Sequence, residues 1–571
     1  MTIRATFGQC TTRRYLDGRP VSSFPPRADV SVSIVVPLFR SRRFVSRLLQ
    51  SLSGADPTPL ELIFVSDGDG YYDVPQKQVI LPARRGYAGA VNSGAREAAG
   101  RYICLLNADV EVRQGWLAPM VRLLESSPDV GAVGNRNLDA RGRMDSVGSE
   151  FSWATGNFEH CLRGRPDVPS PERDSVAERD AMTAACLLVR RDLWERLGGM
   201  DEAYRVAYFE DTDFCLRLRA AGYRILYCPD SAIVHHKGHS GASGHRFYRA
   251  NRDLFHRRWV ETGLVDMFAR MRGRRVHGGD VVACYIVLNE AEFIAPSIES
   301  VYPLADRIVI VEGGNDYAVA AGLCGPDKRS SDGTLDAIRA VDDPERKIEV
   351  VSGAWRDKAE QRNAYAARLR PGDWMLAMDG DEVFYEAGLW RLSALMHRCD
   401  VVMPGFDLFW NDFDTVGTGI WNEFQQVKAV RWAAGYHYRD HNCPCDAAGR
   451  PVTRLGRLIR TDERLYAHYS WVKPVAKLRA KAAYYERQPG ARERMRPRYM
   501  EDVFLAWREK PEEISRRHGT HPFGGGGAER FTGRHPGPIA RRIEAGAFRE
   551  WARVMQWNAD HSQQRREREE P

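Results

Sequence analysis

A chain of 571 residues is too long for one hydrophobic core and predicts two or three domains. It is globular in composition, 43% apolar and 28% charged, with 83 basic residues against 76 acidic ones for a net charge of +7. Charges interleaved in that way exclude a dedicated nucleic-acid binder, whereas a modest basic bias suits nucleotide diphosphates or an anionic membrane surface. The start, Met1 to Gly8, shows no apolar signal-peptide core, and no run reaches the roughly 18 apolar residues of a membrane span. Eleven scattered cysteines fit a reducing cytosol, and Cys443-Pro444-Cys445 lacks a second pair at zinc-finger spacing. The expectation is a cytoplasmic protein, with docking at the inner face of the cell membrane left open by its basic surface.

In chain order, Val32 to Pro37 reads as a buried strand, followed by a helix with Phe44, Leu48 and Leu52 on one face. A second strand, Leu60 to Val65, ends in Ser66-Asp67-Gly68-Asp69. Arg85-Gly86-Tyr87-Ala88-Gly89 then opens a helix that carries Asn92, and the strand Tyr102 to Leu106 runs into Asn107-Ala108-Asp109. Asp109, just past a strand, can offer the hard oxygen that a divalent cation needs. Further on, Tyr208-Phe209-Glu210-Asp211-Thr212-Asp213 starts a helix with Phe214, Leu218 and Ala221 on one face. Acids there stabilise a helix start by about 0.3–1 kcal/mol each, or Asp211 accepts a proton from a hydroxyl. The strand Arg224 to Cys228 leads to Ile233-Val234-His235-His236-Lys237, a metal and phosphate element in pattern.

The same order returns from residue 280. Val281 to Val287 is a strand, Ile294, Ile298 and Val301 share a helix face, and Arg307 to Val311 ends in Glu312-Gly313-Gly314. A helix near 360–369 carries Arg362 and Asn363, and Trp374 to Met378 runs into Asp379-Gly380-Asp381-Glu382. Acids at matching strand ends predict a duplicated α/β architecture of two tandem, mostly parallel, Rossmann-like sheets, with ligands beyond the carboxyl ends of the strands. Three uncompensated carboxylates in four residues repel one another and point to a bound cation. The expected organisation is an N-terminal extension over 1–29, a first domain over 30–262, a basic linker over 263–279, a second domain over 280–490, and a helical, charged C-terminal extension over 491–571.

The run Gly86-Tyr87-Ala88-Gly89-Ala90-Val91-Asn92, with Asn107-Ala108-Asp109, Gly198-Gly199-Met200-Asp201-Glu202 and Phe209-Glu210-Asp211-Thr212-Asp213, resembles glycosyltransferase family 2, in its rhamnosyl- and galactofuranosyltransferase-like branch. The resemblance implies the GT-A fold and an inverting reaction, with Asp67 at the nucleotide base and Asp109 and His235 on Mn²⁺ or Mg²⁺. It makes Asp211 the general base, with Glu210 beside it, and Asp69, Asn92 and Asn107 part of the donor site. Asn107 stands where the family often has aspartate.

The second half, with Asn289-Glu290-Ala291-Glu292 and Ala467-His468-Tyr469-Ser470-Trp471, resembles the lipopolysaccharide-core β-glucosyltransferases of that family. This implies Asp381 and His468 as metal ligands and Glu312, Arg362, Asn363 and Asp379 at the donor. Two departures stand out: Glu312 replaces the usual aspartate, and no Glu-Asp pair follows. Glu423 is the nearest candidate base, with His437 and His441 as alternatives for substrate contact. The expected function is transfer of sugars from nucleotide-sugar donors to a glycan or lipid-linked acceptor in surface polysaccharide synthesis. Either both domains transfer, or the first alone does and the second is a donor- or acceptor-binding or scaffolding module. A nucleotidyltransferase would need a glycine-rich loop where Pro37-Leu38-Phe39-Arg40-Ser41-Arg42-Arg43 stands.

Overall fold

The computed structural model describes residues 31–237, 241–419, 425–440, 443–487, 498–507, 510–517, 519–522 and 526–548. The chain forms two compact α/β units, one up to Phe255 and one from His256 onward. No helix among the described residues is long and apolar enough to cross a membrane.

In the first unit Val32–Leu38, Leu60–Asp67, Lys77–Leu81 and Tyr102–Leu106 form a parallel block, in the spatial order third, second, first, fourth. Cys186–Arg190 joins it antiparallel, and Val130–Leu138 and Arg224–His235 complete the path. Alternate residues of Val32–Leu38 fall into two cores. Ile34 and Val36 pack under the helix Arg42–Leu52, whereas Val35 packs under Gly86–Ala95. Both faces are therefore covered, which is why Ile34, Val35 and Val36 are apolar in succession rather than alternating with polar residues. Gly94 permits the close approach of helix to sheet, because a Cβ there would lie 2.5 Å from Val35.

The second unit repeats the block. Val281–Val287, Arg307–Glu312, Ile348–Ser352 and Trp374–Asp379 are parallel and again ordered third, second, first, fourth. Antiparallel Ala429–Arg431 then leads to Val401–Trp410, which runs parallel to the long strand Leu458–Trp471. The duplicated architecture expected from the strand ends is thus present, parallel in its first half and mixed in its second.

The stretch expected as a linker is instead built into the second unit. Leu264–Met271 is a helix with Val265, Phe268 and Ala269 buried. At Gly263, φ is +77° and a Cβ would meet the Trp390 carbonyl oxygen at 1.8 Å, so only glycine fits. Of the arginines that suggested a solvated connector, Arg270 pairs with Asp306 at 2.6 Å, and Arg272, Arg274 and Arg275 follow the helix end. The described part of the C-terminal extension is also packed. Gly527–Arg530 pairs with Thr415–Thr418, and helix Gly537–Glu544 buries Ile539 against Phe293, Phe413 and Tyr469. Residues 1–29 lie outside the described residues.

Candidate active site

In the first unit, Tyr102–Leu106 runs out into Asn107 and Asp109. The next strand, Val110–Val112, pairs antiparallel with the end of Arg224–His235 and sets His235 opposite Val110. That register brings His235 Nε2 to 3.3 Å from Asp109 Oδ1 and 3.4 Å from Asn107 Nδ2. Its Nδ1 faces Asp145 Oδ2 at 3.7 Å, and Lys237 also pairs with Asp145. Burial opposes an imidazolium here, but Asp109 and Asp145 outweigh it and lift the His235 pKa to about 9. For Asp145, burial would raise the pKa, yet His235 and Lys237 hold it down at about 2.

An oxygen and a nitrogen 3.3 Å apart are spaced as neighbouring ligands of one ion. Bonds of about 2.0–2.2 Å place adjacent ligands about 3 Å apart. A carboxylate with an imidazole suits Mn²⁺ better than Mg²⁺, which prefers oxygen alone. The Asp145 contact on the far nitrogen is the orienting partner that a ligating histidine usually has.

The helix Glu210–Ala220 follows a turn in which Val206, Tyr208 and Phe209 take φ of +67°, +83° and +74°. Left-handed residues of this kind cost about 1–3 kcal/mol each and persist only where the surroundings enforce them. Buried Asn251 does so: its amide donates to the carbonyls of Arg205, Ala207 and Tyr208, and its oxygen accepts from Arg205 N. The turn presents Asp211, whose Oδ2 accepts from Ala184 N at 3.2 Å and Oδ1 from Thr212 N at 2.7 Å. Ala185 in turn accepts from Asn107 N at 3.0 Å. Asp211 and the Asp109 loop therefore hang from one two-residue segment. Half-buried His160 lies within electrostatic reach of both Asp145 and Asp211, though desolvation is what chiefly lowers its pKa.

Glu210 behaves differently from its neighbour. It is buried, its Oε2 has no hydrogen-bond partner, and burial, followed by repulsion from Asp211 and Asp213, pushes its pKa well above the carboxylate range. Such surroundings disfavour the charged carboxylate and weigh against Glu210 as a second base. Asp213 is spoken for by Arg217 at 2.7 Å. The expected donor contacts also hold structure. Asp67 accepts from Arg85 N and Gly86 N at 2.6 and 2.9 Å, and Asp69 from Arg40 N and Tyr72 Oη, both at 2.6 Å. Asn92 grips one backbone residue, its amide donating to Met200 O at 2.8 Å and its oxygen accepting from Met200 N at 2.9 Å.

The second unit has the same scaffold with different chemistry. Glu382–Phe384 pairs antiparallel with Leu458–Trp471, setting His468 opposite Glu382 as His235 is set opposite Val110. His468 Nε2 lies 3.1 Å from Asp381 Oδ1. Asn363 grips Tyr438 as Asn92 grips Met200, with both bonds at 2.8 Å. Glu312 is buried like Asp67 and accepts from Ser330 N at 2.7 Å and Arg329 at 3.1 Å. Arg362 reaches Asp379 at 3.5 Å. Asp379, Glu382 and His468 offer ligand atoms all within 4.8 Å of one another.

The premise that these acids are uncompensated is corrected by the structure. Lys428 binds both oxygens of Glu382 at 2.7 and 2.8 Å, and Lys473 binds Asp381 at 2.7 Å. Glu423 and His441 lie outside the described residues. His437 pairs across a hairpin with Cys445. Sequence reasoning missed Asp145, His160, Asn251, Lys428 and Lys473, none of which stands in a motif.

Residues 33–144 match the family described as Glycosyl transferase family 2. An N-acetylglucosaminyl-diphospho-decaprenol L-rhamnosyltransferase of Mycobacterium tuberculosis is 30% identical over 227 residues, covering 34% of this chain and 73% of that protein. The chain belongs to glycosyl transferase family 2. An O-antigen biosynthesis protein of Myxococcus xanthus is 28% identical over 233 residues, 38% of this chain. This chain spans only 29% and 18% of the lengths of two longer relatives, the latter being the Myxococcus protein. Among solved structures, GalNAc-T7 with UDP, GalNAc and Mn²⁺ matches with a TM-score of 0.30 and 16% identity, over 36% of this chain and 43% of that one.

Proposed function

We propose that the first unit is an inverting glycosyltransferase that moves a sugar from a nucleotide-sugar donor to a hydroxyl of a lipid-linked or glycan acceptor in surface polysaccharide synthesis. The observation that carries this reading is the shared anchor of Asp211 and the Asp109 loop on Ala184-Ala185. Asp211 has a lone pair left after its bonds from Ala184 N, Thr212 N and the Thr212 hydroxyl, and accepts the acceptor's proton. Attack from the face opposite the diphosphate, in one displacement with no sugar–enzyme bond, inverts the anomeric centre. Asp109 and His235 would hold Mn²⁺ or Mg²⁺, which when bound offsets charge on the departing diphosphate. His235 would release its proton on binding the ion, since only neutral imidazole ligates.

The diphospho-lipid in the printed name of the mycobacterial relative supports a lipid-linked acceptor, reached at the cytoplasmic membrane face. For the second unit, capture of a second donor fits the repeated scaffold. Transfer there would need a base, and the candidate Glu423 lies outside the described residues.

The test is a screen of nucleotide sugars with the full chain, followed by Asp211→Asn on the donor that is turned over. Transfer is expected to fall about 10²–10⁴-fold while nucleotide affinity stays. Unchanged transfer would remove Asp211 as the base.

A further inference from the structure

The acidic loop of the second unit already carries its own cations. Lys473 Nζ lies 2.7 Å from Asp381 Oδ2 and 2.6 and 2.7 Å from the two oxygens of Glu290. Lys428 Nζ sits on both oxygens of Glu382 at 2.8 and 2.7 Å, and Lys481 Nζ lies 3.9 Å from Asp381. With Arg362 on Asp379, four carboxylates face four basic side chains, besides His468.

These lysines are not surface groups that could swing away, since the side chains of Lys428 and Lys473 are 2% and 5% exposed. A divalent ion entering at Asp381 must displace a buried ammonium that bridges Asp381 and Glu290, and bring two further positive charges beside it, a costly arrangement. Entering at Glu382, it meets Lys428 on both oxygens. The donor set therefore does not fit a resident divalent cation in this loop. Two basic groups stand near Asp379, one of them the Arg362 already facing it at 3.5 Å. Arg362 has a buried Nε with no hydrogen-bond partner, and Lys358 lies one turn earlier on the same helix, its ammonium over the Tyr484 ring.

We infer that the second unit binds a nucleoside diphosphate without a divalent cation. Lys428 and Lys473 neutralise the strand-end acids, and Arg362 and Lys358 meet the phosphates. The inference rests on the reading of this unit as a donor site.

Two measurements test it on the full chain. First, bound Mn²⁺ is counted by electron paramagnetic resonance in the native protein and in an Asp109→Asn, His235→Asn variant. The expectation is one ion per chain in the native protein and none in the variant. Lys473→Met should add a binding event by vacating Asp381 and Glu290. A variant that still binds one ion overturns the inference, and needs no change in the second unit. If neither protein binds Mn²⁺, the metal reading of the first unit fails and this one stands.

Second, UDP and GDP are titrated into that variant in EDTA. Binding that weakens more than tenfold in Arg362→Ala or Lys358→Met supports the inference. Binding that appears only on adding Mn²⁺ overturns it. No binding of either nucleotide under any condition removes the donor reading of the second unit, and this inference with it.

Discussion

The two units place the same residue types on the same scaffold and finish them in opposite ways. In each, the fourth strand of the parallel block ends in an acidic loop, and a short strand pairs with a later one so that a histidine faces the loop. In each, an asparagine on the preceding helix grips both polar groups of one distant backbone residue. The first unit then leaves Asp211 bonded through two backbone amides and the Thr212 hydroxyl, with no cation among the described residues on it, and lets Asp109 face an imidazole. The second closes its carboxylates with buried lysines. Duplication fixed where charge would gather, and single lysines decided what the charge is for.

The comparison breaks most sharply at Lys428. Removing one member of a buried ion pair typically costs about 3–5 kcal/mol, because the other is left charged and unsolvated. Lys428→Met should lower unfolding free energy by that amount, measured by denaturant titration. The double change Lys428→Met, Glu382→Leu should recover much of it. A loss under about 1 kcal/mol in the single variant would mean that the pair does not hold the loop. The twin asparagines should behave alike instead. Asn92→Ala and Asn363→Ala each strand a buried backbone N–H and C=O, for about 1–3 kcal/mol each. If Asn92→Ala proved harmless to stability while weakening nucleotide affinity, the donor role expected from its position would be restored over the structural one.

Much of this was legible in the sequence because strand ends advertise themselves. An apolar run stopped by acids locates Asp109 and Asp381, and their recurrence reveals the duplication. His235 stood out as one of a histidine pair that reads as a metal element, whereas His468, a lone strand-end histidine without a local signature, was reached only through family resemblance. What stayed hidden depends on distant pairing. Lys428 and Lys473 lie 46 and 92 residues from the carboxylates they neutralise, in segments of ordinary composition. Asp145 is one acid in a three-residue strand. Asn92 and Asn363 were each placed on the helix before an acidic loop, but that position does not distinguish a ligand contact from a backbone one. The helix Leu264–Met271 was read as a linker because flanking arginines masked three buried apolar positions.

The smallest expected effect concerns a feature that the described residues show only in the second unit, its packed C-terminal extension. His535 sits among the rings of Phe409, Phe413 and Phe531 and contacts Tyr469 Oη at 2.8 Å. Burial lowers its pKa from 6.5 to about 4, against weaker opposing pulls from the Phe413 backbone and Asp407. Below pH 6.5 the unfolded chain takes up a proton that the folded chain refuses until about pH 4. Stability contributed by the neutral ring is therefore complete at neutral pH and declines as the solution is acidified through that window. By pH 5 the loss is about 2 kcal/mol. Differential scanning calorimetry of the native chain and His535→Gln at pH 7 and pH 5 isolates the effect. The gap between the two proteins should narrow on acidification, because glutamine has no proton to gain. If the gap stays constant, the ring is not held neutral and the extension is not anchored through it.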